Sequence, residues 1–124
     1  MSPAQRLARA MKGTREERAI LVRDPNRIVA VAVLSSPKVT QAEVESIAKM
    51  ANVSEDILRI IGNTRAWLKN YAIVSALTKN SKTPVGVSLN LLSRLLEKDV
   101  KALSTDRNIP EPLRLAARRK LVPS

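Results

Sequence analysis

The chain of 124 residues contains no histidine and no cysteine. It therefore lacks the side chain that most often serves as general base or metal ligand, and it lacks the thiol used as nucleophile, metal ligand or disulfide partner. The motifs of nucleophilic triads, glycine-rich phosphate loops and zinc hydrolases are missing as well. These absences favour a binding module with no enzymatic activity, no cofactor and no metal ion.

Aromatic residues are also scarce. Phenylalanine does not occur, and Trp67 and Tyr71 are the only aromatic side chains. Hydrophobic residues make up 44% of the chain, which is enough for a core, but its volume must come from Leu, Ile, Val, Ala and Met. Small aliphatic side chains let helices pack closely, which suits several thin layers better than one thick core. Trp67, Tyr71 and Val74 are expected in that core.

Segments for secretion or membrane insertion are not recognisable. The N-terminal residues contain no uninterrupted apolar run, and no stretch approaches the roughly 18 apolar residues that span a bilayer. The lack of cysteine fits a reducing compartment. We expect a soluble, cytoplasmic protein with a single domain, residues 1–124. Residues 1–13 are either part of this domain or a separable N-terminal helical arm, because Gly13 interrupts the chain before the next helix start.

Helix-start signals recur at short intervals. Three capping boxes are predicted, each with a Ser or Thr side chain and a Gln or Glu three residues later; they pair Ser2 with Gln5, Thr14 with Glu17 and Thr40 with Glu43. A cap followed by proline predicts two further starts, at Asp24-Pro25 and Thr83-Pro84. Ser54 and Thr64 are additional candidate caps.

These signals, with Gly, Asn and Pro at the intervening stops, predict an all-α chain of seven to nine short helices. The expected helices lie near residues 3–11, 15–22, 25–35, 41–50, 55–61, 65–79, 84–96, 99–105 and 111–120. No segment shows sustained alternation of apolar and polar residues. The apolar, β-branched run 28–34 is the best strand candidate, although its Asp-Pro start and its alanines favour a buried helix.

The chain shows weak self-similarity. Residues 32–40 parallel residues 76–84 at an offset of 44, and residues 52–55 parallel 108–111 at an offset of 56. In these segments an apolar helix end leads through a polar loop to a cap and a new helix. Such units stack side by side in α-solenoids.

The segments 23–37 and 80–84 carry a resemblance to bacterial helical repeats of the leucine-rich-repeat-variant and HEAT-like type. The full sequence also resembles an uncharacterised family of small bacterial proteins. The resemblance implies a compact HEAT-like helical-repeat domain. Some leucine-rich-repeat-variant proteins carry an iron–sulfur cluster module, which a chain without cysteine cannot reproduce.

Charge is strongly unbalanced and unevenly distributed. The chain has 22 Lys and Arg against 11 Asp and Glu, a net charge of +11. The excess is concentrated at both ends and in residues 63–83, a segment that contains no acidic residue. Its basic residues are Arg65, Lys69, Lys79 and Lys82. Such patterning is typical of proteins that bind polyanions.

The predicted helix 65–79 would place several of these cations on one stripe. With 3.6 residues per turn, Arg65, Lys69, Ala72, Ala76 and Lys79 share a face. Alanines between cations would let a phosphate backbone approach closely. The alternative interpretation is that the stripe is simply the solvated face of a helix whose other side is buried.

Two further basic clusters lie at the ends. Arg6, Arg9 and Lys12 recur every three residues in the first helix and could contact phosphates or dock on a partner, whereas a membrane-surface helix would need aromatic anchors. In the last helix, Arg118 and Arg119 stand near Arg114 and Lys120. There the alternative is a favourable interaction of the cations with the helix dipole.

The charge pattern therefore predicts a binding module for nucleic acid or another polyanion, without membrane or metal. Its predicted contacts are Arg65, Lys69, Lys79, Lys82, Arg6, Arg9, Lys12, Arg118 and Arg119. The second hypothesis is a protein-interaction scaffold for an acidic partner or for self-association. The third is recognition of a small phosphorylated ligand or nucleotide second messenger, which would need converging arginines and a stacking partner. The oligomeric state has no signature in the sequence.

Overall fold

Ten short α-helices and one 3₁₀ turn follow one another across residues 1–123, the part of the chain that the computed structural model describes, and this part contains no strand. The helices are α1 (Pro3–Lys12), α2 (Arg15–Leu21), α3 (Arg27–Ser35), α4 (Gln41–Ala48), α5 (Glu55–Gly62), α6 (Arg65–Leu68), α7 (Tyr71–Lys79), α8 (Val85–Leu91), α9 (Glu97–Thr105) and α10 (Glu111–Leu121). The 3₁₀ turn Leu92–Arg94 follows α8. The predicted all-α class is confirmed, and the run 28–34 lies in helix α3.

Side-chain hydrogen bonds cap the starts of five of the ten described helices. All three predicted capping boxes form, each with reciprocal bonds between side chain and backbone. They start helices α1, α2 and α4. The caps are local because donor and acceptor lie only three residues apart, which is why the sequence pattern predicts them correctly.

The two helix starts predicted from a cap followed by proline are displaced. Helix α3 starts two residues later than expected, and α8 starts one residue later. Helix α3 begins at Arg27, and its cap is Asn26, whose Oδ1 accepts from the backbone N–H groups of Ile28 and Val29. The Asp24 carboxylate instead accepts from the N–H of Asn26 at 2.8 Å. An Asx turn thus occupies the position predicted for the first helical turn.

The start of α8 is displaced for a similar reason. Thr83 is buried, and its Oγ1 donates to the carbonyl of Leu77 at 2.7 Å, so it does not cap α8. Pro84 is the residue before the helix. Ser54 and Thr64 occupy the predicted cap positions of α5 and α6, but neither side chain accepts a capping hydrogen bond.

The largest difference from the sequence prediction is a break at Asn70. A single helix 65–79 was expected, but α6 ends at Leu68 and α7 starts at Tyr71. The Oδ1 of Asn70 caps α7 by accepting from the N–H of Ala72 at 3.0 Å, and its Nδ2 donates to Oε1 of Gln41 on α4. The asparagine satisfies backbone groups better as a cap than inside a helix. This break raises the helix count to ten.

The helices pack both on their direct neighbours along the chain and on helices two or three places away. Three consecutive units can be distinguished: unit 1 contains α1 to α3, unit 2 contains α4 to α7 and unit 3 contains α8 to α10. In each unit the first helix packs against the last one. Units 1 and 2 meet through contacts of α2 with α4 and of α3 with α5. Units 2 and 3 meet through contacts of α5 and α7 with α8 and of α7 with α9.

Polar contacts show that α4 and α7 run in the same direction. At their starts, Asn70 donates to Gln41 at 3.0 Å. At their ends, the Nδ2 of Asn80 donates to the carbonyls of Ala48 and Met50, at 2.8 and 2.9 Å. These carbonyls lie at the end of α4, where helix geometry leaves acceptors without a partner.

Unit 1 contains a corresponding contact. The Oγ of Ser36, which follows α3, donates to the carbonyl of Met11 in the last turn of α1 at 2.8 Å. Ser36 and Asn80 are separated by 44 residues, the offset of the self-similarity in the sequence. The two polar side chains therefore perform the same task in successive units.

The core is almost wholly aliphatic. Its largest fully buried side chains are Ile57, Leu58, Ile61, Ile73, Leu77, Leu103 and Leu113. Val74 is buried as predicted, whereas Trp67 and Tyr71 are half-buried against the core. Helix α1 contributes Ala10, which is fully buried, so residues 3–12 pack onto α3 in this structure.

Candidate functional site

The central basic segment does not form a stripe on one helix. Arg65 lies on α6 and Lys69 directly follows that helix, whereas Lys79 ends α7 beyond the break at Asn70. Ala76, expected on the same exposed face, is buried. The predicted stripe is therefore wrong, because the helix is interrupted at Asn70, between the second and third cations, and because Ala76 is not exposed.

Arg65 and Lys69 are nevertheless available for binding. Both are exposed, and neither side chain forms a hydrogen bond or an ion pair within residues 1–123. An unpaired surface cation keeps its full electrostatic attraction for a phosphate, without first giving up a carboxylate. These two residues match the predicted role better than Lys79 does.

Lys79 is held by an acidic residue from another helix. Its Nζ lies 3.0 Å from Oδ1 of Asp99 on α9. The Tyr71 hydroxyl donates to the other carboxylate oxygen of Asp99 and accepts from the N–H of Leu96 at 2.8 Å. Because Asp99 lies 20 residues along the chain from Lys79, the acid-free character of segment 63–83 did not reveal this pair.

These contacts shift two pKa values in opposite directions. The hydrogen bond from Tyr71 lowers the pKa of Asp99, and the bond and charge of Lys79 lower it further, which together outweigh the opposing effect of burial. Burial raises the pKa of Tyr71, and the hydrogen bond to Asp99 raises it further. At neutral pH Asp99 is therefore a carboxylate and Tyr71 a neutral phenol.

An open groove of about 530 Å³ lies beside this network, between α4, α7 and α9. Its charged lining residues are Lys49, Lys79, Lys98, Glu45 and Asp99. Lys49 is itself paired with Glu45 at 2.9 Å. The groove is therefore mixed in charge, and Lys98 is its cation without an acidic partner at ion-pair distance among the described residues.

Lys82 occupies an exposed position in the loop between α7 and α8. Its ammonium has no recorded hydrogen bond or ion pair in the described part of the chain. It borders a depression of about 320 Å³ that also contains Arg23, Arg27 and Asp56. Arg27 is paired with Asp56 at 2.7 Å. The depression also contains Asp24, so its two arginines are matched by two aspartates, and Lys82 is the cation in excess.

The N-terminal cluster is divided between paired and unpaired cations. Arg6 lies 2.8 Å from the carboxylate of Asp24, and Arg9 lies 3.4 Å from that of Glu17. Lys12 is exposed and has no carboxylate within ion-pair distance in residues 1–123. Two of the three predicted contacts therefore stabilise the packing of α1, and Lys12 retains a free charge.

At the C-terminal end, Arg119 is exposed and has no recorded partner in the described structure. The Nε of Arg118 donates to the carbonyl of Ser104 at 2.9 Å. Arg118 shares a depression with Arg107 and Arg114, which the sequence analysis did not include among the contacts. The spacing of Arg114 and Arg118 along α10 was visible in the sequence, but the approach of Arg107 was not.

The predicted cations are therefore not assembled into one pocket. Lys79, Lys82 and Arg118 border different depressions. Most acidic side chains of residues 1–123, in contrast, are engaged in ion pairs. The paired acids are Glu17, Asp24, Glu43, Glu45, Glu55, Asp56, Glu97 and Asp99. The net positive charge consequently resides on cations without a carboxylate partner.

Two further properties concern residues 1–123. None of their helices has the length and apolar character needed to cross a membrane. Their acidic side chains form no group of three that could hold a metal ion.

No family model, curated protein or solved structure matches the chain significantly.

Proposed function

We propose that the chain is a non-catalytic module, built as a HEAT-like helical-repeat domain, that binds nucleic acid through its basic surface. The observation that carries this proposal is that most acidic side chains are paired with a cation, whereas many lysines and arginines have no acidic partner in residues 1–123. Most of the cations without a carboxylate partner are exposed. Five members of the predicted set have neither an ion pair nor a side-chain hydrogen bond among the described residues: Arg65, Lys69, Lys82, Lys12 and Arg119.

Binding would proceed by neutralisation of phosphates. Each lysine or arginine that replaces a condensed counterion adds affinity, and the entropy of the released ion drives association. Paired cations contribute less, because Arg6, Arg9 and Lys79 would have to leave Asp24, Glu17 and Asp99. Contacts of this kind position a nucleic acid without reading its bases.

Fluorescence anisotropy with labelled duplex DNA, single-stranded DNA and RNA tests the proposal. We expect binding at about 50 mM salt that weakens steeply at about 200 mM, with a log–log slope near −0.9 for each phosphate neutralised on duplex DNA. Affinity should differ little between duplexes of different sequence. No binding of any probe at the lower salt concentration would overturn the proposal.

Two double variants of equal net charge test whether nucleic-acid affinity depends on which cations are removed or only on how many. Lys69→Gln with Lys82→Gln removes two unpaired cations, and Lys49→Gln with Lys101→Gln removes two that face Glu45 and Glu97. Both variants lower the net charge equally. The first should weaken binding and flatten the salt slope more than the second. Equal losses would show that net charge alone governs binding and would contradict the assigned contacts.

An acidic protein partner is the second candidate. Ile20 on α2 and Ile28 on α3 expose 65% and 68% of their surface. Arg23, in the loop between these helices, and Arg27 are also exposed. Exposed apolar side chains and arginines favour a protein interface. This candidate predicts that Ile20→Ser with Ile28→Ser abolishes capture of an acidic partner or self-association while nucleic-acid binding is unchanged.

A further inference from the structure

A depression at the carboxyl end of α9 gathers three arginine side chains. It has a volume of about 450 Å³ and is lined by Thr105, Arg107, Glu111, Arg114, Leu115 and Arg118. Arg107 lies in the loop between α9 and α10, whereas Arg114 and Arg118 lie one turn apart on α10. The close packing of α10 on α9 brings them to one depression.

Two of the guanidinium groups are anchored by the backbone of α9. The Nε of Arg118 donates to the carbonyl of Ser104 at 2.9 Å, and Nη1 of Arg114 donates to that of Asp106 at 3.3 Å. These carbonyls lie in the last turn of α9 and at its C-cap, where helical acceptors lack partners. A guanidinium has five N–H donors, so each anchored arginine retains donors for a bound group.

The arginines of this depression are not neutralised by acids. Arg107, Arg114 and Arg118 form no ion pair with any residue of the described chain. The one acidic lining residue, Glu111, is exposed on the first turn of α10, where the helix N-terminus favours a carboxylate. Three cations against one anion leave the depression positively charged.

We propose that this depression, the arginine pocket, binds a phosphomonoester group. Guanidinium groups match the oxygens of a phosphate through paired N–H donors, and anchoring reduces the entropy lost on binding. A monoester presents three terminal oxygens and close to two negative charges at neutral pH, which suits three arginines better than the single charge of a backbone diester. The lining contains no aromatic residue, so the pocket recognises the phosphate and not a stacked base.

The arginine pocket is independent of the polyanion surface proposed above, because it uses other cations and another form of phosphate. Isothermal titration calorimetry with inorganic phosphate, glycerol 3-phosphate and adenosine monophosphate tests it directly. We expect all three to bind with similar affinity. Binding of the two monoesters should weaken below about pH 6, where the dianion takes up one proton and becomes a monoanion. Absence of binding by all three would overturn the proposal.

Arg107→Gln is the most informative variant, since the Arg107 side chain has no recorded hydrogen bond and its loss removes no support from α9. It should weaken binding of inorganic phosphate by about tenfold, the effect of losing one charged hydrogen bond. Arg94→Gln removes an exposed arginine of the 3₁₀ turn and serves as the control. Equal affinity of the two variants would contradict the pocket. If Arg107→Gln unfolds at the same temperature as the unmodified protein, its weaker phosphate binding does not result from a destabilised fold.

Two further comparisons identify the source of the phosphate. An oligonucleotide with a 5′-phosphate should bind more tightly than the same oligonucleotide with a 5′-hydroxyl if the pocket holds a nucleic-acid end, and equally if it holds a free small molecule. Lys69→Gln with Lys82→Gln should leave binding of inorganic phosphate unchanged. If that double variant lost phosphate binding together with duplex binding, the two sites would not be independent and the pocket as proposed would be wrong.

Discussion

Arg18 on α2 and Glu43 on α4 form a buried, two-pronged ion pair. The Nε and Nη2 atoms of Arg18 lie 2.8 and 3.1 Å from the two carboxylate oxygens of Glu43. Nη1 of the same arginine donates to the carbonyl of Gly13 at 2.9 Å. Glu43 also accepts from the N–H of Thr40 in the capping box of α4. One carboxylate thus caps a helix and joins unit 1 to unit 2.

Removal of Arg18 should strongly destabilise the fold. Arg18→Met leaves Glu43 buried without its cation, and loss of one partner from a buried pair costs about 3–5 kcal/mol. We expect a corresponding decrease in the free energy of unfolding, measured by urea denaturation. Arg59→Met is the control, because Arg59 forms exposed pairs with Glu55 and Asp56 and should cost less than about 1 kcal/mol. If both variants lost a similar free energy of unfolding, burial would not strengthen the Arg18–Glu43 pair.

The same pair predicts sensitivity to acid. Burial raises the pKa of Glu43, but the hydrogen bonds from Arg18 and Thr40 lower it more, so the folded value lies below the ordinary 4.5. A depressed folded pKa contributes stability that is present above the unfolded value and is lost as the pH falls through the folded one. Urea midpoints should therefore decrease below about pH 4.5. Glu43→Gln should be less stable at pH 7 and less sensitive to pH in this range; an unchanged pH dependence would contradict the assignment.

Tyr71 should titrate above its ordinary pKa of 10.0, first because it is buried and then because it donates to Asp99. It is the only tyrosine in the chain, so the ultraviolet absorbance of tyrosinate reports on this residue alone. A raised folded pKa contributes stability that is present below pH 10 and is lost as the pH rises through the raised value. Asp99→Asn should move the midpoint towards 10. A native midpoint equal to that of the denatured chain would refute the Tyr71–Asp99 bond.

Two glycines should respond to alanine in opposite ways. A Cβ at Gly62 would lie 2.4 Å from Cγ1 of Val87, so Gly62→Ala forces α5 and α8 apart and should cost about 1–3 kcal/mol. Nothing lies within 4 Å of a Cβ at Gly86 in α8, and Gly86→Ala should add about 0.5–1 kcal/mol through helix propensity. Thermal and urea denaturation of both variants check the signs. Adding Val87→Ala to Gly62→Ala should restore part of the lost stability, because it removes the Cγ1 atom that the new Cβ meets. If stability is not restored, the contact with Val87 is not the cause of the destabilisation.

Helix formation was largely predictable because it depends on neighbouring residues. The capping boxes of Ser2, Thr14 and Thr40 bond backbone and side chain three residues apart, and the aliphatic composition requires closely packed helices. The offset of 44 residues also separates Ser36 from Asn80, but the sequence did not predict their equivalent hydrogen bonds. A HEAT-like stacking of the units remains a prediction, as do the nucleic-acid contacts.

The amino-acid sequence by itself thus determined the all-α class, most helix starts and the excess of positive charge. Only the tertiary structure decided which charges are free. Lys79 is paired because α9 brings Asp99 to it, and Arg118 gains Arg107 because α10 packs on α9. Asn70 likewise ends one helix and starts another, with Gln41 of α4 as its second partner. Ion pairs and pockets depend on residues distant in sequence, whose approach is governed by burial of the aliphatic core and not by any local pattern.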